Sequence, residues 1–246
     1  MTKKVAIVGT ADTKALAPFN DASFEIWGVN NLYPHVPRGT RWFEVHEITF
    51  DGKQYLRRGS ADFRGQNVGD YLKQLGEWTA IQKCPVYMKK HWDIIPTSIE
   101  YPIDVVLENF PNRYFTNTVS YELALAIMEG YEEIHLYGID MAVDTEYHHQ
   151  RPSVEYFIGV ADGIARAQGR KVNVYIPPAA DLLKTRFLYA FEENQQTAWE
   201  KKCKQIMESM NKKRVVIEQE LRSKDAQLNQ YVGAMQAVKE LDKIWK

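Results

Sequence analysis

The stretch from Phe115 to Asp140 constrains the chain most, because it demands a loop, a helix, a tight turn and a buried strand in immediate succession. Leu123, Ala124, Ile127 and Met128 lay one apolar stripe along a helix face, and Gly130 is placed to end that helix. Ile134, Leu136 and Ile139 then form a short apolar run that closes on Gly138-Ile139-Asp140. A helix followed this closely by a buried strand requires a sheet with helices on its faces. Ligands of such sheets gather beyond the carboxyl ends of the strands, so Asp140 and the segment after it are expected to face the same cleft as Asn117. Asn117, Thr118 and Ser120 stand at the helix mouth, where unpaired N–H groups and the positive dipole end favour a phosphate. The same three residues also suit an ordinary N-cap.

The remainder of the chain repeats this alternation. Val5–Val8 reads as a buried first strand, and Gly9-Thr10-Ala11-Asp12-Thr13 as the polar turn where nucleotide-binding α/β proteins approach phosphate. With a single glycine the turn is not the GxGxxG fingerprint, which argues against a nicotinamide or flavin cofactor. Phe24–Asn31 reads as a second strand ended by two amides, Asn30 and Asn31, able to read a base or a ribose or simply to make a turn. Arg41–His46 reads as a third strand, with His46 at its end. The polar, basic stretch 51–69, with Arg57, Arg58 and Arg64, reads as a lid at the cleft edge or as a solvated excursion. A short helix is expected over Val68–Trp78, a strand at Pro85–Met88, and a helical turn at Ile103–Phe110 beyond Pro96 and Pro102. After the ionisable segment 141–152, a helix is expected from about Ser153 to Gln168, closed by Gly169, and then a strand at Lys171–Ile176. The fold class is therefore α/β, a doubly wound, largely parallel sheet of Rossmann-like type.

Beyond Phe191 the pattern changes. Trp199, Cys203, Ile206 and Met210 recur at alternating intervals of four and three, and Leu221, Lys224, Leu228, Tyr231, Met235 and Val238 resume the rhythm. Between them, Ile217 and Leu221 introduce a stutter. Residues 192–246 contain no proline and one glycine, Gly233, so a long amphipathic helix is expected, either self-associating as a coiled coil or folded back at Gly233. The boundary separates a nucleotide-binding domain, 1–191, from this helix. A net charge of −1 gives no bulk attraction to nucleic acid. Cys84 and Cys203 suggest neither a disulfide framework nor a metal spacing, which favours a reducing, cytoplasmic setting. No apolar run approaches the ~20 residues of a membrane span, and Met1–Lys4 leads straight into a strand rather than a signal-peptide core.

Val5–Thr13, Ile26–Asn31 and above all Tyr131-Glu-Glu-Ile-His-Leu-Tyr-Gly-Ile-Asp140 resemble a glycosyltransferase grouping. It comprises bacterial sialyltransferases acting on lipooligosaccharide and the motility-accessory-factor proteins that glycosylate flagellin. Residues 3–191 also resemble proteins of tailed bacteriophages, through Trp27–Asn30, Arg41–Phe43 and Gln150–Pro152; that likeness carries no chemistry but would place the protein in a host cytoplasm. The first resemblance implies a metal-independent, inverting transferase that needs no cofactor and takes a CMP- or UDP-linked sugar as donor. It implies that Gly9, Thr10, Asn30, Asn31, Asn117, Thr118, Ser120 and Asp140 hold the donor. It further implies that His148 or His149 is the general base, and that Tyr147 or Arg151 supports the departing phosphate. The acceptor would be a surface glycan or a nucleic-acid base. The turn departs from the family pattern in lacking a second glycine and the Pro-Ser pair. Two alternatives stand beside this reading: a nucleotide-sequestering protein without turnover, and an assembly protein that acts through the helical tail as a homo-oligomer.

Overall fold

The computed structural model describes residues 2–58, 67–141, 149–170, 172–185, 188, 191 and 195–244. The chain divides into two compact units, Met1–Lys184 and Thr185–Lys246.

The first unit is built on strands β1 (Lys4–Val8), β2 (Phe24–Val29), β3 (Arg41–Glu44), β4 (Glu47–Phe50) and β5 (Tyr55–Arg58), followed by helix α1 (Val68–Gln82). Strands β6 (Val86–Met88) and β7 (Ser98–Glu100) come next, then helices α2 (Ile103–Asn109) and α3 (Thr118–Met128), strand β8 (Glu133–Tyr137), helix α4 (Arg151–Ala167) and strand β9 (Asn173–Tyr175). Seven strands form one sheet in the order β7-β6-β3-β2-β1-β8-β9, every neighbouring pair parallel. At its centre Ala6 of β1 lies between Ile26 of β2 and His135 of β8. Successive strands leave β1 in one direction as far as β7; the chain then crosses back through α2 and α3 to lay β8 on the other side of β1. The β1–β8 boundary is thus the topological switch point, the place where open α/β sheets carry their ligands.

Alternation along the strands explains the two layers. Val5, Ile7, Trp27, Phe43, Ile134 and Leu136 face one way and pack with Leu123 and Ala124 of α3 and Val154 and Phe157 of α4. Ala6, Val8, Ile26, Trp42 and Val86 face the other way and pack with Tyr71, Leu72 and Leu75 of α1. Each fully buried Val, Leu, Ile or Phe among them contributes about 1.5–3 kcal/mol. One residue on the α3 side breaks the pattern. Glu122 is completely buried and neither carboxyl oxygen has a hydrogen-bond partner among the described residues; burial pushes its pKa well above the ordinary carboxylate range.

Several expectations are corrected in detail. The third strand stops at Glu44, two residues short of His46, because the Glu44 side chain turns inward: its carboxylate is fully buried, accepts from the Tyr71 hydroxyl at 2.6 Å, and pairs with Arg57 at 3.2 Å and with His46 Nδ1 at 2.7 Å. Residues 51–58 are not an irregular loop, since β4 and β5 form an antiparallel hairpin with Glu47 opposite Arg58, pinned to the sheet by that same Arg57. Arg64 lies outside the described residues. Helix α1 runs on to Gln82 and ends where Lys83 takes a left-handed φ of 53°. Helix α4 begins at Arg151 rather than near Ser153, with Pro152 in its first turn.

The second unit contains α5 (Gln195–Ile244), one continuous helix that passes through Gly233 without folding back. Among the described residues no helix is long and apolar enough to cross a membrane.

Candidate functional site

The carboxyl ends of β1 and β8 are locked together by main chain. Gly9 N–H donates to Tyr137 O at 2.7 Å and Ala11 N–H to Gly138 O at 3.0 Å. The two glycines touch so closely that a Cβ on Gly9 would stand 2.4 Å from Gly138 O, and one on Gly138 2.4 Å from Gly9 O. Gly138 also has a φ of 64°, which a side chain rarely tolerates. Thr13, in a short 3₁₀ helix at Asp12–Leu16, completes the joint. Its hydroxyl donates to Asp140 and accepts from Gly138 N–H at 2.8 Å. Asp140 is therefore held by Thr13, and its carbonyl by Asp181 N–H at 3.0 Å. Sequence reasoning noted Thr13 only as part of a polar turn; nothing local signals a partner 127 residues away.

The parallel register, which runs as far as Val8 beside Gly28, brings the carboxyl ends of β1 and β2 to the same edge, where Thr10 and Asn30 follow them. Thr10 is exposed, and its carbonyl accepts from Lys14 Nζ at 3.1 Å, which brings a cation to the turn. Asn30 leaves the end of β2 with φ 47°, a left-handed conformation that asparagine tolerates better than most residues. Its carbonyl accepts from Trp42 Nε1 at 2.8 Å, which fixes the backbone, whereas its side-chain Oδ1 is shielded from water and has no hydrogen-bond partner among the described residues. Asn31 follows within a short 3₁₀ turn and is half-buried.

At the mouth of α3, Asn117 Oδ1 accepts from Ser120 N–H at 2.9 Å and from the Ser120 hydroxyl at 3.1 Å, so this amide is the N-cap. Ser120 is fully buried and shares its hydroxyl with Ser153 Oγ of α4 at 2.7 Å; Thr118 is buried beside it. Asn117 Nδ2 reaches Gln150 O at 2.8 Å. The cluster expected at the helix mouth thus sits in a seam between the starts of α3 and α4, where it holds the two helix ends together. The start of α4 has no side-chain cap. Arg151 stands there, 2.7 Å from Glu155 and 3.5 Å from Met141 O, which ties it back to the segment after β8. His149 is exposed just before Gln150. His148 and Tyr147 lie outside the described residues.

The structure therefore brings Gly9, Thr10, Asn30, Asp140 and Arg151 to one edge of the sheet, with Lys14 and Arg151 as its cations. No family model matches the chain, and no curated protein matches it either. Among solved structures it is similar to a sialyltransferase of Campylobacter jejuni in complex with the substrate analogue CMP-3FNeuAc, at 13% identity and a TM-score of 0.42 over 73% of this chain and 81% of that one. It is similar also to that enzyme with cytidine-5′-monophosphate, at 15% identity and a TM-score of 0.45, over 76% of this chain and 88% of that one. A third structure, with a trisaccharide acceptor and CMP, gives 13% and 0.44 over 76% and 89%.

Proposed function

We propose that the chain is a glycosyltransferase that takes a nucleotide sugar, CMP- or UDP-linked, across the carboxyl ends of β2, β1 and β8. The observation that carries this reading is the Asn30 side chain. A shielded acceptor with no donor costs about 1–3 kcal/mol, and a ligand that supplies an N–H or O–H removes that cost. An exocyclic base amine or a ribose hydroxyl is such a donor. Beside it, the turn presents the exposed Thr10, and Lys14 and Arg151 supply positive charge for a phosphate. In the reaction so assigned, an acceptor hydroxyl loses its proton to a base and its oxygen attacks the anomeric carbon from the face opposite the phosphate. The bond from that carbon to the phosphate oxygen breaks, with inversion, and the nucleotide departs carrying the electron pair. His149 is the described side chain best suited by type to take the proton, and Arg151 to stabilise the charge on the departing phosphate.

Thermal denaturation against CMP, UDP and their sugar conjugates tests the reading, because a ligand of the native state raises the melting temperature by mass action. One nucleotide class is expected to raise it. Asn30→Gly, which keeps the left-handed backbone and deletes the amide, is expected to abolish that rise without lowering the unliganded melting temperature. A flat response across the panel from folded protein would overturn the proposal.

A further inference from the structure

Helix α5 spans 50 residues, and Met210, Leu221, Tyr231 and Val238 are each more than half exposed along it. Its apolar seam has an internal symmetry. From Ile217 toward the amino end, seam positions recur at intervals of four, three, four, three and four, ending at Trp199. From Lys224 toward the carboxyl end they recur at the same intervals and finish at Asp242. The stutter lies between these two arms, so a two-fold axis across the helix between Glu220 and Leu221 maps one arm onto the other.

Spacing alone suits two helices running the same way as well as two running oppositely; charge decides between them. In a parallel pair Lys213 would face Lys213, Lys224 would face Lys224 and Asp242 would face Asp242 across the seam, three like-charge contacts in a partly dry interface. Reversing one helix sets Lys213 against Leu228 and Lys224 against Ile217 of the second copy, where a long side chain covers apolar surface and keeps its ammonium in water. The flanking positions then match as well. Glu200 falls beside Lys239, Arg214 beside Asp225, and Met207 beside Val232, each pair made twice by the symmetry. Parallel helices offer those flanks no opposite charges. Within its own helix Arg214 makes a long contact, 3.6 Å to Glu218, with both side chains at least half exposed.

We infer that α5 is the self-association surface of this protein and that its occupant is a second copy of the same helix, running antiparallel, with Cys203 against Val238 and Ile206 against Met235. The inference rests on α5 alone and is independent of the nucleotide reading.

Cysteine cross-linking of the full-length chain, alongside sedimentation, tests it. In the antiparallel pair the two Cys203 residues are roughly 50 Å apart along the helix axis, and Cys84 is fully buried, so the wild-type protein should sediment as a dimer and give no covalent dimer with a short bifunctional maleimide. Val238→Cys should cross-link in high yield through Cys203, and Val238→Cys combined with Cys203→Ser should not. A monomer in sedimentation overturns self-association. Cross-linking of the wild type, or of the double variant, overturns the antiparallel direction, and a dimer in which Val238→Cys fails to cross-link overturns the register.

Discussion

Glu122 and Thr13 are polar residues placed against the grain of their surroundings, with opposite outcomes. Glu122 has no hydrogen-bond partner among the described residues, and burial lifts its pKa. An acid whose folded pKa is raised contributes its full share of stability below its unfolded value of about 4.3 and loses it as pH climbs above. Glu122→Met should therefore stabilise the protein by roughly 1–3 kcal/mol at pH 7 and by less at pH 4, as read from urea unfolding at the two values. A gain that did not shrink on acidification would show that the side chain is paired after all. Thr13, by contrast, satisfies two groups at once. Thr13→Val keeps the shape but strands the Gly138 N–H and the Asp140 carboxylate, and should cost about 1–3 kcal/mol, whereas Thr13→Ser should restore most of it. At the proposed site, His149→Ala should leave the nucleotide-induced rise in melting temperature intact while lowering transfer by about 10²–10⁴-fold. Equal loss of both would assign His149 to binding instead of proton transfer.

Among the elements, the β4–β5 hairpin depends on one buried carboxylate. Burial works to raise the Glu44 pKa, but the hydrogen bond from His46, the Arg57 charge and the Tyr71 hydroxyl outweigh it and hold the group below its ordinary value. A depressed acid contributes stability above its unfolded pKa and loses it as pH falls through the folded one. Stability should thus decline below about pH 4.3. Glu44→Gln, which leaves Arg57 facing a neutral group, should cost about 3–5 kcal/mol at pH 7 and flatten that acid limb. Elements of this kind were the hardest to read in sequence. Strand β1 announces itself as an apolar run, β2 is broken only by Glu25, and β8 is marked by Ile134 and Leu136 alternating with the half-buried Glu133 and His135. The hairpin buries little beyond Ile48, and β7 is a three-residue edge strand between Pro96 and Pro102, so neither carries a pattern strong enough to separate it from loop. The proposed site divides in the same way. Asn30 could be seen because it ends a strand, while the pairing of Thr13 with Asp140 and the seating of Ser120 against Ser153 depend on how distant elements meet.

For the whole molecule, the long helix was the most legible part, because its repeat persists over many turns and a single exposed glycine costs only about 1 kcal/mol. The same repeat permits a graded test of assembly. Arg214→Glu should raise the dimer dissociation constant roughly tenfold by setting like charges against Asp225 twice, and adding Asp225→Arg should reverse the effect. Loss without rescue in the double variant, measured by sedimentation, would count against that register. At the opposite pole of adaptability stand Gly9 and Gly138. Each obstructs a side chain on the other with a carbonyl oxygen of the main chain, so no change in a neighbouring side chain can make room. In a saturation library selected for folded protein, both positions should return glycine alone, while Thr10 and Asn30 tolerate exchange. Lineages descended from this chain would then be free to alter what the cleft holds, but not the joint on which it is hung.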